Sequence, residues 1–124
     1  MWIFTQKTGQ IAQDAKVVAT GWAGQGKGKN NPDMQDVESI GPLPCGLYTI
    51  QAPHDNPHTG PFTMDLIPDP ANQMFGRKDF RIHGAAFKDP ELSSEGCIIQ
   101  ARSVRECIWA SGDRELQVVS GNLA

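Results

Sequence analysis

One histidine and one cysteine within residues 80–100, FRIHGAAFKDPELSSEGCIIQ, are of the right kinds to do chemistry together. A thiol is a poor nucleophile until a base takes its proton. An imidazole delivered to the same spot by a neighbouring strand is such a base. His83 closes one strand-like run and Cys97 opens another, with a turn-rich segment between them. Alternation in FRIHG sends Phe80 and Ile82 toward a core and leaves Arg81 and His83 on the opposite face, at the rim of one cleft. Gly84 follows directly. Its carbonyl, unshielded by a side chain, is placed to accept an imidazole N–H, fix the tautomer and leave the other ring nitrogen for the Cys97 thiol.

The residues before the cysteine fit a nucleophile turn. Gly96 permits a tight or left-handed backbone and lets a substrate carbonyl approach. The Cys97 N–H with a neighbouring N–H would then form an oxyanion hole, the kind of donor pair whose members are worth roughly 10²- to 10³-fold in rate. Ser94 is set to hydrogen-bond either the turn or the substrate. Against this stands the plain alternative that a free cysteine is a small buried hydrophobe.

Other constellations say less. GWAGQGKGK has glycines and Lys27 near phosphate-loop spacing, but Gly28 stands where Ser or Thr must hold magnesium and no helix follows. A structured loop covering the cleft is the expectation there. His54 and His58 are four apart, a zinc spacing on a helix, yet Pro53, Pro57 and Pro61 forbid one. They are expected in an exposed loop, with contact to substrate as the lesser alternative. Cys45, Cys97 and Cys107 show no CxxC spacing, so at least one thiol is free unless chains pair. Cys107 is expected in the core, and Cys45 at a turn before a strand.

The elements that must position the pair are short. Thirteen Gly and nine Pro punctuate apolar runs, the pattern of a mainly β chain. Strands are predicted at WIFTQKT, KVVATGWAG, GLYTIQA, FTMDLIP, DFRIHG, CIIQA and ELQVVS. One helix is predicted in RSVRECIWASGD, with Ser103 and Glu106 as a capping box, Val104, Cys107 and Ile108 on the apolar face and Gly112 as terminator. The stretch 24–44 reads as a long ordered loop. The 124 residues make one domain, 1–124.

Net charge is −3, and GKGKNNP is the only basic cluster, which argues against nucleic acid. No run approaches the roughly 18 apolar residues of a membrane span, and MWIFTQKTGQ lacks the pattern of a secretory signal. A cytoplasmic product is expected, carried elsewhere by other machinery if it acts elsewhere.

Ile-His-Gly, then Ser-x-Gly-Cys-Ile with the cysteine fourteen residues after the histidine, resembles the active-site signature of L,D-transpeptidase catalytic domains. These are β-rich cysteine enzymes of bacterial peptidoglycan. GWAGQGKGKNNPDMQDVESIGPLPCGLYTI and MFGRKDFRIHG look like the small branch that includes type VI secretion effectors, and the likeness runs from Trp2 to about Val119. It implies an L,D-transpeptidase-like β-sandwich or barrel with one short C-terminal helix. It also implies Cys97 as nucleophile, His83 as base, Gly84 as orienting carbonyl, and Ser94 and Gly96 as shapers of the turn, with neither metal nor cofactor.

Two positions depart from the broader pattern: Glu95 where His is frequent, and Ile99 where Arg is frequent. Substrate anchoring then falls to other residues. Arg81 or Arg77 suits a bidentate grip on a carboxylate, Glu95 borders the substrate, and Arg77 is equally suited to a structural ion pair. The implied reaction is attack by a Cys97 thiolate on the meso-diaminopimelate carbonyl of a tetrapeptide stem, loss of D-Ala, and transfer of the thioester to water or an amine. The implied partners are peptidoglycan stem peptides and an immunity protein, and the implied destination is a target cell's periplasm. A non-catalytic wall-binding module and a phage-borne lytic protein of the same fold are the rival functions.

Overall fold

The structure, a computed structural model, describes residues 1–122; the last two positions of the expected domain lie outside the described residues. Ten strands form in chain order: β1 (Trp2–Thr5), β2 (Gln10–Gln13), β3 (Lys16–Thr20), β4 (Trp22–Ala23), β5 (Gly46–Ile50), β6 (His54–Asn56), β7 (Gly60–Pro68), β8 (Arg81–His83), β9 (Ile98–Ile99) and β10 (Glu115–Val119). One α-helix, α1 (Arg102–Ala110), lies between β9 and β10. The architecture is mainly β, as the sequence implies. All seven predicted segments contain strand. The sequence did not announce β2 and β6, each of which is only three or four residues long and pairs in a hairpin with its neighbour.

The strands form one mixed sheet in the order β3-β2-β1-β10-β5-β7-β8-β9-β4, with β6 on β7. The β1–β10 and β8–β9 pairs are parallel, and the other pairs are antiparallel. The two ends of this path, β3 and β4, are consecutive in the chain and separated only by Gly21. The sheet therefore curls until its two end strands come together. Gly21 makes the meeting sterically possible: a Cβ there would lie 1.9 Å from the Ile99 carbonyl oxygen.

Period-two burial selects the inner face. Trp2 and Phe4 on β1, Tyr48 and Ile50 on β5, and Leu116 and Val118 on β10 are buried, while Leu47 and Thr49, which alternate with the buried pair on β5, are exposed. On β8 and the residue before it, Phe80 and Ile82 join this core as the alternation requires.

The helix departs from expectation in two respects. It begins at Arg102 with Ala101 as N-cap and no side-chain cap, so Ser103 falls inside the first turn and the capping box does not form. Its buried positions are Arg105 and Ile108, with Val104 half-buried and Cys107 exposed. The face is set by Arg105, which donates to the carbonyls of Gln100 (3.0 Å), Pro61 and Phe62 (both 2.9 Å). Cys107 lies two residues on, about 200° around the helix, and so points out.

The stretch 24–44 contains no strand and carries two 3₁₀ turns, Gly26–Gly28 and Pro32–Met34. It is tied to the rest of the molecule through Arg77, whose Nη1 donates to Gln35 (2.6 Å) and Pro42 (2.8 Å) and whose Nη2 donates to Gly41 (3.0 Å) and Glu95 (3.1 Å), all backbone carbonyls.

Gly21→Ala is expected to cost about 3 kcal/mol through backbone collision. Gly26→Ala, with nothing within 4 Å of its Cβ and φ +56°, should cost only about 1 kcal/mol of backbone strain. Urea midpoints at constant m-value measure both.

Candidate active site

Three neighbouring strands carry the site. Asp65 on β7 lies opposite Arg81 on β8, and Ile82 and His83 pair with Ile98 and Ile99 on β9 in parallel register. Cys97, the residue before β9, is thereby brought alongside Arg81, with His83 two residues further along β8. Cys97, His83, Arg81, Arg77, Glu95 and Asp79 all border one cleft of about 550 Å³, a size suited to a small-molecule or peptide ligand. Glu38 and Ser39 supply the wall contributed by the long loop, and His58 and Thr59 the wall contributed by the β6–β7 turn. His58 is exposed in the turn between β6 and β7, as expected, and its side of that turn borders the cleft. His54 begins β6 rather than lying in a loop.

The imidazole is held from one side. His83 is 4% exposed, and its Nδ1 lies 2.9 Å from the Gly84 carbonyl oxygen. A carbonyl can only accept, so Nδ1 carries the proton and Nε2 is the basic nitrogen. Burial lowers the His83 pKa. The Gly84 contact opposes that shift, and the charges of Arg105 and Arg81 add to it. The ring is neutral at neutral pH, as a base must be.

Cys97 is 9% exposed, and its Sγ approaches the Asp79 carbonyl at 3.9 Å. Burial pushes its thiol pKa up to about 11. The Arg81 backbone N–H and the charges of Arg81 and Arg77 pull it down, while Glu95 pushes it up. The expected resting thiolate is therefore corrected. Desolvation outweighs the neighbouring cations, so the sulfur rests as a neutral thiol, with the Asp79 carbonyl rather than the imidazole as its partner. A neutral thiol and a neutral imidazole can still react, provided the proton moves as sulfur attacks.

The turn before Cys97 is built by Ser94 and Gly96. Ser94 is fully buried; its Oγ accepts from the N–H groups of Gly24 (2.9 Å) and Gly96 (3.1 Å) and donates to the Cys97 carbonyl (2.5 Å). Of the two roles open to Ser94, the structure shows the turn contact. Gly96 has φ +129°, and a Cβ there would lie 2.6 Å from Arg77 Nη2 and 2.8 Å from the Phe80 ring. Because the Gly96 N–H is spent on Ser94, it is not available to join the Cys97 N–H in an oxyanion hole.

The two arginines separate. Arg77 is buried, and both terminal nitrogens are doubly committed to carbonyls, so a grip on a carboxylate would have to break the loop's anchor. Arg81, 30% exposed, borders the cleft while its Nε donates to Asp65 Oδ1 at 3.0 Å. Glu95 is exposed beside the sulfur. All three cysteines are free: Cys45 is half-buried with Sγ 3.4 Å from Gln6 Oε1, and Cys107 is exposed on α1.

Sequence inspection missed Arg105, which presses against Gly84 (a Cβ there would lie 2.7 Å from its Nη2) and adds positive charge near His83. Its i,i+3 spacing to Ile108 was the available signal. Asp65 was missed too; alternation between Met64 and Leu66 puts it on the Arg81 face.

A family model described as the Tlde1 domain matches residues 17–120. That domain is associated with type VI secretion effectors. No curated protein and no solved structure matches the chain.

Iodoacetamide labelling of Cys97, followed residue by residue, should rise on the order of tenfold per pH unit between roughly pH 6 and 9, because the thiol ionises only above that range. A plateau near neutrality would instead report a resting thiolate. Gly96→Ala should cost about 3 kcal/mol, read from the urea midpoint, since it combines backbone strain with collision against Arg77.

Proposed function

The chain belongs to the Tlde1 domain family, and from that premise we propose that it is a cysteine-dependent, peptidoglycan-modifying effector delivered to a target cell. Its substrate in this reading is the tetrapeptide stem, whose terminal D-Ala it removes or exchanges. The observation that carries the reading is the convergence of Cys97 and His83 on one cleft, with the imidazole held by the Gly84 carbonyl in the tautomer that leaves Nε2 basic. The resemblance of the His-Gly and Ser-x-Gly-Cys segments to L,D-transpeptidase domains supplies the substrate class.

The chemistry follows from two neutral groups. As Sγ of Cys97 forms its bond to the meso-diaminopimelate carbonyl carbon, the thiol proton passes to Nε2 of His83. The carbonyl becomes an oxyanion, for which the Cys97 N–H is the candidate donor. Collapse breaks the C–N bond, and the D-Ala amine leaves with the proton that His83 held. The thioester on Cys97 is then opened by water, giving a tripeptide stem, or by an amine, giving exchange or a cross-link. Neutrality at rest suits this sequence, since an uncharged pair needs no counter-ion in a desolvated pocket.

Action on stem peptides places the target in the periplasm and calls for an immunity protein in the producing cell. No cofactor is required by this sequence of steps.

Incubated with tetrapeptide muropeptides, the protein should release D-Ala and leave tripeptide stems or exchanged tetrapeptides, detected by mass spectrometry. Cys97→Ala should abolish turnover, and His83→Ala should reduce it by about 10²- to 10⁴-fold. Unaltered muropeptides with the intact protein would mark a wall-binding module instead.

A further inference from the structure

Arg81 does not stand alone at the cleft. Its Nε donates to Asp65 Oδ1 at 3.0 Å, and the same oxygen lies 3.2 Å from Nε2 of His54. Strand pairing places all three: Asp65 is opposite Arg81 across β7 and β8, and His54 pairs with Thr63 across β6 and β7. The remaining contact of Arg81, from Nη1 to the Asp79 carbonyl, is long at 3.5 Å. A guanidinium held through Nε keeps its outer edge for a second, planar acceptor. By the β8–β9 register Arg81 stands alongside Cys97, and both border the same cleft.

We propose that Asp65 and His54 are positioning residues for Arg81: Asp65 aims the guanidinium to receive the terminal carboxylate of the substrate beside Cys97, and His54 sets the pH range over which that carboxylate is drawn in. The inference rests on the reading of the cleft as a site for stem peptides with a free carboxylate. With His54 neutral, Arg81 and Asp65 sum to zero charge. Protonated His54 brings the cluster to net +1 while still holding Asp65 in place. Carboxylate recognition is therefore stronger on the acid side of the His54 titration.

The charged groups bearing on His54 are Asp65 on β7, which raises its pKa most, and Arg81 on β8, which lowers it; on its own strand the Asp55 carbonyl lies 3.1 Å from Nδ1. The window is shifted upward from the ordinary imidazole value. His83, shifted the other way, titrates below it.

The test compares iodoacetate, an anionic alkylator, with neutral iodoacetamide, both read at Cys97 by peptide mass mapping. The rate ratio of the two reagents cancels the thiolate content. Exposed Cys107 in the same molecule is the reference. The ratio at Cys97 should exceed that at Cys107 by about fivefold, the scale of a partly exposed ion pair. It should fall to parity in Arg81→Gln, fall most of the way in Asp65→Ala, fall part of the way in Asp65→Asn, which keeps the volume and one acceptor oxygen, and return in Asp65→Glu. It should rise as pH drops through the His54 window, remain flat in His54→Gln, and keep its step in His58→Gln, whose ring also borders the cleft. An unchanged or increased ratio in both Asp65→Ala and Asp65→Asn, a persistent step in His54→Gln, or no labelling of Cys97 overturns the proposal. Muropeptide turnover measured in parallel separates the two failures. Turnover with a flat ratio sinks this inference alone, whereas a responsive ratio without turnover sinks the enzymatic reading and leaves the carboxylate site standing.

Discussion

Two short parallel strands, paired at Ile82–Ile98 and His83–Ile99, are what bring Cys97 and His83 to one cleft. Parallel neighbours need a crossover connection rather than a tight hairpin. Here the crossover is the segment between Gly84 and Gly96, so the chain that borders the cleft also joins His83 to Cys97. Everything that fixes this pairing fixes the site. Phe80 and Ile82 anchor β8 in the core, Ile98 and Ile99 bury both faces of β9, and β4 closes over β9 at Trp22 and Ala23.

Burial at this pairing decides the protonation states. The same loss of water that presses Cys97 toward its neutral form presses His83 toward its own, and the surrounding cations do not reverse the first effect. Cys97 and His83 therefore form no ion pair with each other at rest. The positive charge nearby is instead distributed between Arg77, whose hydrogen bonds all go to the backbone of the long loop and of Glu95, and Arg81, which Asp65 holds at the border of the cleft. Arg105, gripping the start of β7 behind Gly84, supports the peptide whose carbonyl orients the imidazole.

Much of this was legible in the residues. Alternation in FRIHG correctly sorted Phe80 and Ile82 from Arg81 and His83, and the seven segments marked off by Gly and Pro contain eight of the ten strands. The remainder depends on partners that a linear pattern does not display. β2 and β6 exist because neighbouring strands offer them hydrogen bonds. The face of α1 was misjudged because a buried arginine, satisfied by three carbonyls, outranked Cys107 for the inward position. The thiolate was misjudged because cysteine chemistry was inferred from the identity of its neighbours, whereas the ionisation state follows from how little water reaches the sulfur. Glycine 96 was recognised as a turn former; that its missing side chain is also the space for Arg77 and Phe80 emerges only from the packing.

The central claim is that Cys97 carries the acyl group between two half-reactions. Intact-protein mass spectrometry on acid-quenched mixtures of protein and tetrapeptide muropeptide tests this directly. The account predicts a transient adduct with the mass of the tripeptide-bearing acyl group, mapped to Cys97 and absent from Cys97→Ser. Steady product formation with no adduct at any time, or an adduct mapped to Cys45 or Cys107, would contradict it.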